Sequence, residues 1–315
     1  MEVFRVVVPG PYTTVQDKGR FGYQQFGIPP TGALDRFAYR VANMLVGNPE
    51  HAAVLETTIM GPRMEVLAET DVALTGGEAA ITVNNQAMGN WCSFRIQPGD
   101  VLSVGQVKSG CRSYLAVTGG IDVPLVMESR SCYVGAGIGG HEGRILAKED
   151  ILKRSEGGLQ GSPLQVPKAL IPAYVSDVLL RAVPGPQDDF FDEGLNTFFA
   201  SEFAVSSNAN RMGYRLEGPK ILHKEGVLKS IISEPSLPGG VQIPPDGQAI
   251  ILLVEQTVGG YTKIATVISA DIPRVAQAKP GDKIRFQKVN LEAAHDAFKQ
   301  QEQILQEIKD HLSGR

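Results

Sequence analysis

The chain has 315 residues, room for about two domains of ordinary size, and its 34 acidic against 30 basic residues leave a net charge of −4. That balance excludes a nucleic-acid binder working through a basic stripe, and no apolar run approaches the roughly 18 residues that cross a bilayer. A content of 43% hydrophobic and 20% charged residues suits a chain with a substantial core, and 35 glycines with 20 prolines favour short strands and tight turns over long helices.

In chain order, the first predicted strand is Val3–Val8, closed by Pro9-Gly10-Pro11. Its Met1-Glu2 start has neither the basic head nor the length of a secretory leader, so a cytoplasmic protein is expected. A helix is predicted over 33–46, where Leu34, Phe37, Ala38, Val41, Ala42 and Leu45 share one face of a 3.6-residue period and Gly47 stands ready as a left-handed cap. Short β-branched runs at Asp71–Leu74, Ile250–Val254 and Ile264–Ile268 predict buried strands between glycine and proline turns. The stretch from Ser155-Glu156-Gly157-Gly158 through Pro163, Pro167 and Pro172 reads as a linker. A last helix, Leu291–Leu312, repeats Leu291, Phe298, Leu305 and Leu312 every seven residues, and packing on its own domain is favoured over a partner coiled coil. The expected division is 1–172, 173–290 and a C-terminal helix over 291–315.

Three strings recur in one order. Val8-Pro9-Gly10-Pro11 returns as Val183-Pro184-Gly185-Pro186. The pattern of Arg20, Gly22, Tyr23 and Gly27 returns as Arg211, Gly213, Tyr214 and Gly218, and Pro98-Gly99-Asp100 returns as Pro280-Gly281-Asp282. Their offsets of 175, 191 and 182 drift only as loop lengths would make them, which points to a duplicated unit.

Signatures of self-sufficient enzymes are missing. There is no phosphate-binding G-x-x-x-x-G-K-[ST], no H-E-x-x-H, no C-x-x-C and no G-x-S-x-G. His51, His141, His223, His295 and His311 lie far apart, so no metal site is expected. Cys92, Cys111 and Cys132 read as reduced core residues. Gly135, Gly137 and Gly140 match the spacing of a dinucleotide fingerprint, but the following His141-Glu142-Gly143 is a poor helix start, and a tight hairpin is the better reading. The densest polar and glycine-rich region runs from Ser230 to Gln277. It holds Glu234, Gly239-Gly240, Gln242, Asp246-Gly247-Gln248 and Gly259-Gly260-Tyr261-Thr262-Lys263, loops of the kind by which rigid sheets present binding groups.

Val15-Gln16-Asp17-Lys18-Gly19-Arg20, Gly27-Ile28-Pro29-Pro30-Thr31-Gly32-Ala33-Leu34-Asp35, Leu55-Glu56, Arg211-Met212-Gly213-Tyr214-Arg215-Leu216-Glu217-Gly218 and the Gly239–Lys263 stretch together resemble the KipA-type family. That family includes allophanate hydrolase subunit 2, the C subunit of 5-oxoprolinase and the carboxyltransferase part of urea carboxylase. The resemblance implies a mainly β chain of tandem cyclophilin-like β-barrel domains with a few helices. It also implies a hetero-oligomer, inactive as a single chain, with a KipI-like partner (the B subunit of 5-oxoprolinase) and a protein like its lactam-hydrolase A subunit. In such an assembly ATP with Mg activates 5-oxoproline before the ring opens to glutamate.

For that chemistry donors must neutralise charge developing on a phosphorylated lactam oxygen. Arg211, Lys263 and the main-chain N–H groups of Gly239, Gly240, Gly259 and Gly260 are the candidates, with Glu234 and Asp246 to orient a ring N–H or position a metal-bound phosphate, and Gln242, Gln248 and Tyr261 to bind substrate. The family also leaves open a biotin-dependent carboxyltransferase, which would need biotin on a separate carrier because this chain has no Met-Lys-Met, and a non-catalytic antagonist of a KipI-type kinase inhibitor. Two departures from the family pattern stand out: Asn210 before Arg211, and Val254-Glu255 where many relatives carry Asp-Arg.

Overall fold

Apolar runs too short for helices and bounded by turn residues leave the chain one way to bury them, as strands of curled sheets. The computed structural model describes residues 1–314 and is mostly β. It comprises two compact units: residues 1–20, 31–174 and the chain from Gln303 on form the first, and Phe21–Pro30 with Val175–Glu302 the second.

The first unit carries β1 (Glu2–Val8), β2 (Thr13–Gln16), α1 (Arg36–Leu45), β3 (Val54–Thr58), β4 (Arg63–Val66), β5 (Thr70–Val83), β6 (Gln86–Met88), β7 (Ser93–Ile96), β8 (Val101–Val117) and β9 (Ile151–Lys153). The path β2-β3-β8-β4-β1-β9 is flanked by β5, which pairs with β6, β7 and β8. One core gathers Phe4, Val6, Leu55, Val72, Leu74, Leu102 and Leu115. A second forms under α1, where Phe37, Ala38, Val41 and Leu45 meet Val54, Tyr114 and Ala116.

The second unit carries β10 (Asp177–Pro184), α2 (Asp192–Ala200), β11 (Glu202–Ala209), β12 (Gly213–Glu217), β13 (Ser230–Pro235), β14 (Gly240–Ile243), β15 (Ile250–Leu252), β16 (Val258–Val267), α3 (Ile272–Gln277) and β17 (Lys283–Lys288). Its strands run in the order β10-β17-β11-β12-β15-β14-β16-β13, with β10 also pairing β16. Phe198 and Phe286 stack inside it with ring centroids 4.3 Å apart.

The last helix is α4 (Leu291–Leu312), whose residues up to Glu302 belong to the second unit and those from Gln303 to the first. Ala297 joins a small cluster with Ile268 and Ala270 of the second unit, whereas Leu305 and Ile308 are buried in the α1 core of the first. Leu291 and Phe298, the first half of the seven-residue stripe, are exposed.

Two of the repeated strings have matching roles. At Pro98-Gly99-Asp100, Gly99 N–H donates to Val66 O at 2.8 Å, Val66 N–H to Asp100 O at 2.9 Å, and Gln97 N–H to Asp100 Oδ2 at 2.7 Å. At Pro280-Gly281-Asp282 the same three bonds run from Gly281 to Val205 O at 2.9 Å, from Val205 to Asp282 O at 2.9 Å and from Lys279 to Asp282 Oδ2 at 3.0 Å. Both glycines sit at φ 90°, the left-handed conformation this turn demands. The Val-Pro-Gly-Pro strings likewise each lead out of a strand, β1 and β10. The third string differs. Gly22 has φ 89° in a loop, while Gly213 opens β12 and pairs with Leu252. A buried Tyr214, whose hydroxyl donates to Ala278 O at 3.2 Å, holds that copy extended.

The motif strings of the first unit are structural. Asp17 is a hub: Oδ1 accepts Gly19 N–H at 2.8 Å and the Ser129 and Ser131 hydroxyls at 2.6 Å each, and Oδ2 accepts Arg130 N–H at 2.6 Å. Arg20 is buried and donates to Thr31 Oγ1 and to the carbonyls of Ser131 and Val126. Asp35 caps α1 through Ala38 N–H at 2.9 Å and accepts the Tyr174 hydroxyl at 2.8 Å. Glu56 accepts Leu34 N–H at 3.0 Å and faces the Arg112 guanidinium at 3.8 Å. The Gly135–Gly140 segment is a tight turn bridged from Tyr133 to Ile138, with a single 3-10 turn at Val134–Ala136 and no α-helix opening on it. Cys111 and Cys132 are buried and Cys92 partly so.

Candidate functional site

Three neighbouring strands of the second unit bring part of the sequence-predicted set together. Strand β14 pairs with β16 so that Gln242 lies opposite Lys263, and β13 pairs with β16 so that Glu234 lies opposite Gly259. Opposed residues of an antiparallel pair point to the same face. Lys263 is buried and its ammonium donates to Glu234 Oε1, a side chain 42% exposed. The pair thus joins a cation fixed inside the sheet to a carboxylate that reaches solvent. The Lys263 ammonium holds the Glu234 carboxyl below the usual carboxylate range, with a hydrogen bond from Gln187 acting in the same direction. Its contribution to stability is therefore complete above the ordinary carboxylate pKa and is lost as pH falls through the depressed value.

Gln242 is 3% exposed, and its amide Nε2 has no hydrogen-bond partner. Its carboxamide lies over Gly259, where an added Cβ would stand 2.3 Å from Nε2. Gly259 is therefore a close-approach glycine that makes room for a buried donor. Gly260 faces Ile231 O and the Ser233 hydroxyl. Tyr261, opposite Ser230, is 39% exposed beside Lys263.

The remaining predicted residues hydrogen-bond within the same unit. Gly239, at φ 95°, leaves no space for a Cβ, which would fall 2.6 Å from Val267 O, and Gly240 donates its N–H to Leu237 O. Gly239 donates its own N–H to Leu252 O, so both N–H groups are spent within the unit and do not suit a phosphate cradle. Asp246 is exposed and accepts Gln248 N–H at 3.0 Å, closing its own turn before β15. Arg211 is 3% exposed and donates through Nε to Glu255 Oε1 at 2.6 Å, while Glu255 N–H donates to Arg211 O at 3.2 Å. Asn210 accepts the N–H groups of Met212 and Gly213. The two departures from the family pattern, Asn210 and Glu255, thus both fall at Arg211.

Two contributors escape a reading of the sequence. Gln187 Oε1 accepts Lys263 N–H at 2.9 Å. Its position directly after the repeated Val-Pro-Gly-Pro string is the one available signal. His223 Nε2 lies 2.8 Å from Thr262 Oγ1 with its ring against Phe191, and burial pushes its pKa down. Among the described residues, no three His, Cys, Asp or Glu side chains converge as a cation would require. A cavity of about 250 Å³ lies in the first unit, lined by Asn48, His51, Arg130 and Glu156 among others. It contains none of the candidates, and its Asn48 and Arg130 are committed to internal bonds. No helix of the described residues is long and apolar enough to cross a membrane.

Comparison with known proteins agrees with this architecture. The chain is 40% identical over 312 residues to the C subunit of 5-oxoprolinase from Escherichia coli K12, covering 97% of each chain. The crystal structure of Kluyveromyces lactis urea amidolyase superposes with a TM-score of 0.90 at 33% identity over 96% of this chain, which spans 19% of that larger protein. The K. lactis urea carboxylase structure gives a TM-score of 0.89 at 33% identity, with 28% of that chain covered. Residues 26–288 match the model for the carboxyltransferase domain, subdomains A and B, and the chain belongs to that family.

Proposed function

We propose that this chain is the C subunit of an ATP-dependent lactam hydrolase of the 5-oxoprolinase type, working with a KipI-like B subunit and a lactam-hydrolase A subunit, and that its reacting groups are Lys263 and Glu234. The observation that carries the reading is the pair itself, a buried ammonium tied to a half-exposed carboxylate on a rigid sheet. The full-length correspondence with a protein named as the C subunit of 5-oxoprolinase supports it, since the match spans 97% of both chains.

Phosphorylation of a lactam oxygen forms an O–P bond as the bond to the nucleotide leaving group breaks. Negative charge gathers on the transferring group while the ring N–H becomes more acidic. A fixed ammonium suits the first demand. Glu234, kept ionised by Lys263, suits the second as a hydrogen-bond acceptor that orients the ring N–H. Its depressed pKa makes it a weak general base at neutral pH, so orientation is its part. Gln242 supplies a buried donor behind the pair. The phosphates of ATP are left to groups other than Gly239 and Gly240.

A second reading, transfer of a carboxyl group from biotin on a separate carrier, is favoured by the TM-scores of 0.90 and 0.89 to urea amidolyase and urea carboxylase. One reconstitution separates the two. The chain alone with ATP and 5-oxoproline is expected to release no phosphate above background, and the three-subunit assembly to release phosphate and glutamate in equal amounts. Turnover by the isolated chain, or an assembly that ignores 5-oxoproline but carboxylates an amide from carboxybiotin, contradicts the proposal.

A further inference from the structure

We propose that Gln187 is a positioning residue of this site, holding the main chain of Lys263 and through it the ammonium that pairs with Glu234. The inference rests on the reading of Lys263 and Glu234 as the working pair. The loop after β10 is stitched to β16 at Lys263 itself. Gly185 N–H donates to Ile264 O at 2.9 Å and Gln187 N–H to Lys263 O at 3.3 Å, while Gln187 Oε1 accepts Lys263 N–H at 2.9 Å. Gly185 permits this approach, because a Cβ there would stand 2.3 Å from Lys263 O.

The amide orientation follows from that set of bonds. With Oε1 taken up by the Lys263 main-chain donor, the NH₂ end is the remaining donor, and it acts to hold the Glu234 carboxyl below its usual range. One half-buried residue therefore satisfies both main-chain groups of Lys263, whose ammonium pairs with Glu234. Glutamine is the residue type this geometry requires. A glutamate at 187 keeps an acceptor for Lys263 N–H but sets a second carboxylate against Glu234, and a leucine keeps the volume while losing both bonds. Lys263 is the charged group that contacts Glu234, and His223, on the neighbouring Thr262, is the nearby titratable one.

The test compares Gln187→Glu, Gln187→Leu and Lys263→Met in the assembled three-subunit enzyme, with kcat and KM for 5-oxoproline followed across pH and thermal unfolding of each variant alongside. A like charge raises a carboxyl pKa, so Gln187→Glu is expected to move the acid limb of kcat/KM up by about one pH unit, a loss of up to about tenfold on that limb that recovers by neutral pH. Gln187→Leu is expected to lower kcat about tenfold at every pH with KM within about twofold. A merely structural glutamine would instead lower the unfolding temperature and leave the pH profile unmoved, and that result overturns the proposal. If Lys263→Met is inactive while both Gln187 variants match the wild type, the positioning role alone fails. If Lys263→Met retains full turnover, the reading of the site fails and the role of Gln187 fails with it.

Discussion

Lys263→Met is expected to lower kcat/KM of the assembled enzyme by at least about a hundredfold, near 2.7 kcal/mol of transition-state stabilisation. Methionine keeps the length and most of the volume of the stem, which is buried in the sheet, and removes the ammonium alone. Folding is expected to change little, because the carboxylate left behind, Glu234, is 42% exposed and regains water. The measurement is steady-state turnover with unfolding followed in parallel. Retained activity in a folded Lys263→Met protein would remove the ammonium from the mechanism.

The second large effect is on stability. Asp17→Ala deletes the acceptor for two main-chain N–H groups and two hydroxyls, all closely packed against it. Each buried donor left without a partner costs about 1–3 kcal/mol. Arg20 adds to this: burial already pushes its guanidinium pKa down, and Asp17 is the first charge opposing that shift. A buried cation stripped of its neighbouring carboxylate costs about 3–5 kcal/mol. The terms overlap, so a loss of about 4 kcal/mol or more is expected for the first unit, with Asp17→Asn intermediate because it retains one carbonyl acceptor. Denaturant unfolding monitored by probes in each unit checks this, and a shift below about 1 kcal/mol would show that the hub is dispensable.

The sequence makes some of this architecture plain and hides the rest, for physical reasons. The first strand and the face of α1 are legible because apolar residues and burial coincide there, whereas the stripe of Leu291–Leu312 is apolar throughout but exposed at Leu291 and Phe298. The helix predicted from Ala33 begins instead at Arg36, since Asp35 spends its side chain as the cap. The long strands β5 and β8 are harder to see. The register of β5 against β8 slips at Gly76, Glu78 and Ala79, and each slip moves side chains to the other face and erases the two-residue alternation. The glycines of the site are visible in the sequence, but their uses are not. Gly259 admits Gln242, whereas Gly239 admits only its own unit's backbone. Arg211 reads as a substrate donor from its place in a repeat, and its buried pairing with Glu255 depends on a contact 44 residues away. Gln187 meets Lys263 across 76 residues, a juxtaposition that only the pairing of β10 with β16 creates.

The most direct test of the central claim is a double-mutant cycle on the working pair in the assembled enzyme, using Glu234→Gln, Lys263→Met and the two together. Groups that act as one unit lose most of their effect with the first substitution. The double variant is therefore predicted to turn over within about threefold of Lys263→Met alone, giving a coupling energy of at least about 1.4 kcal/mol. Losses that simply multiply would mean that Lys263 and Glu234 act independently, and would contradict the site described.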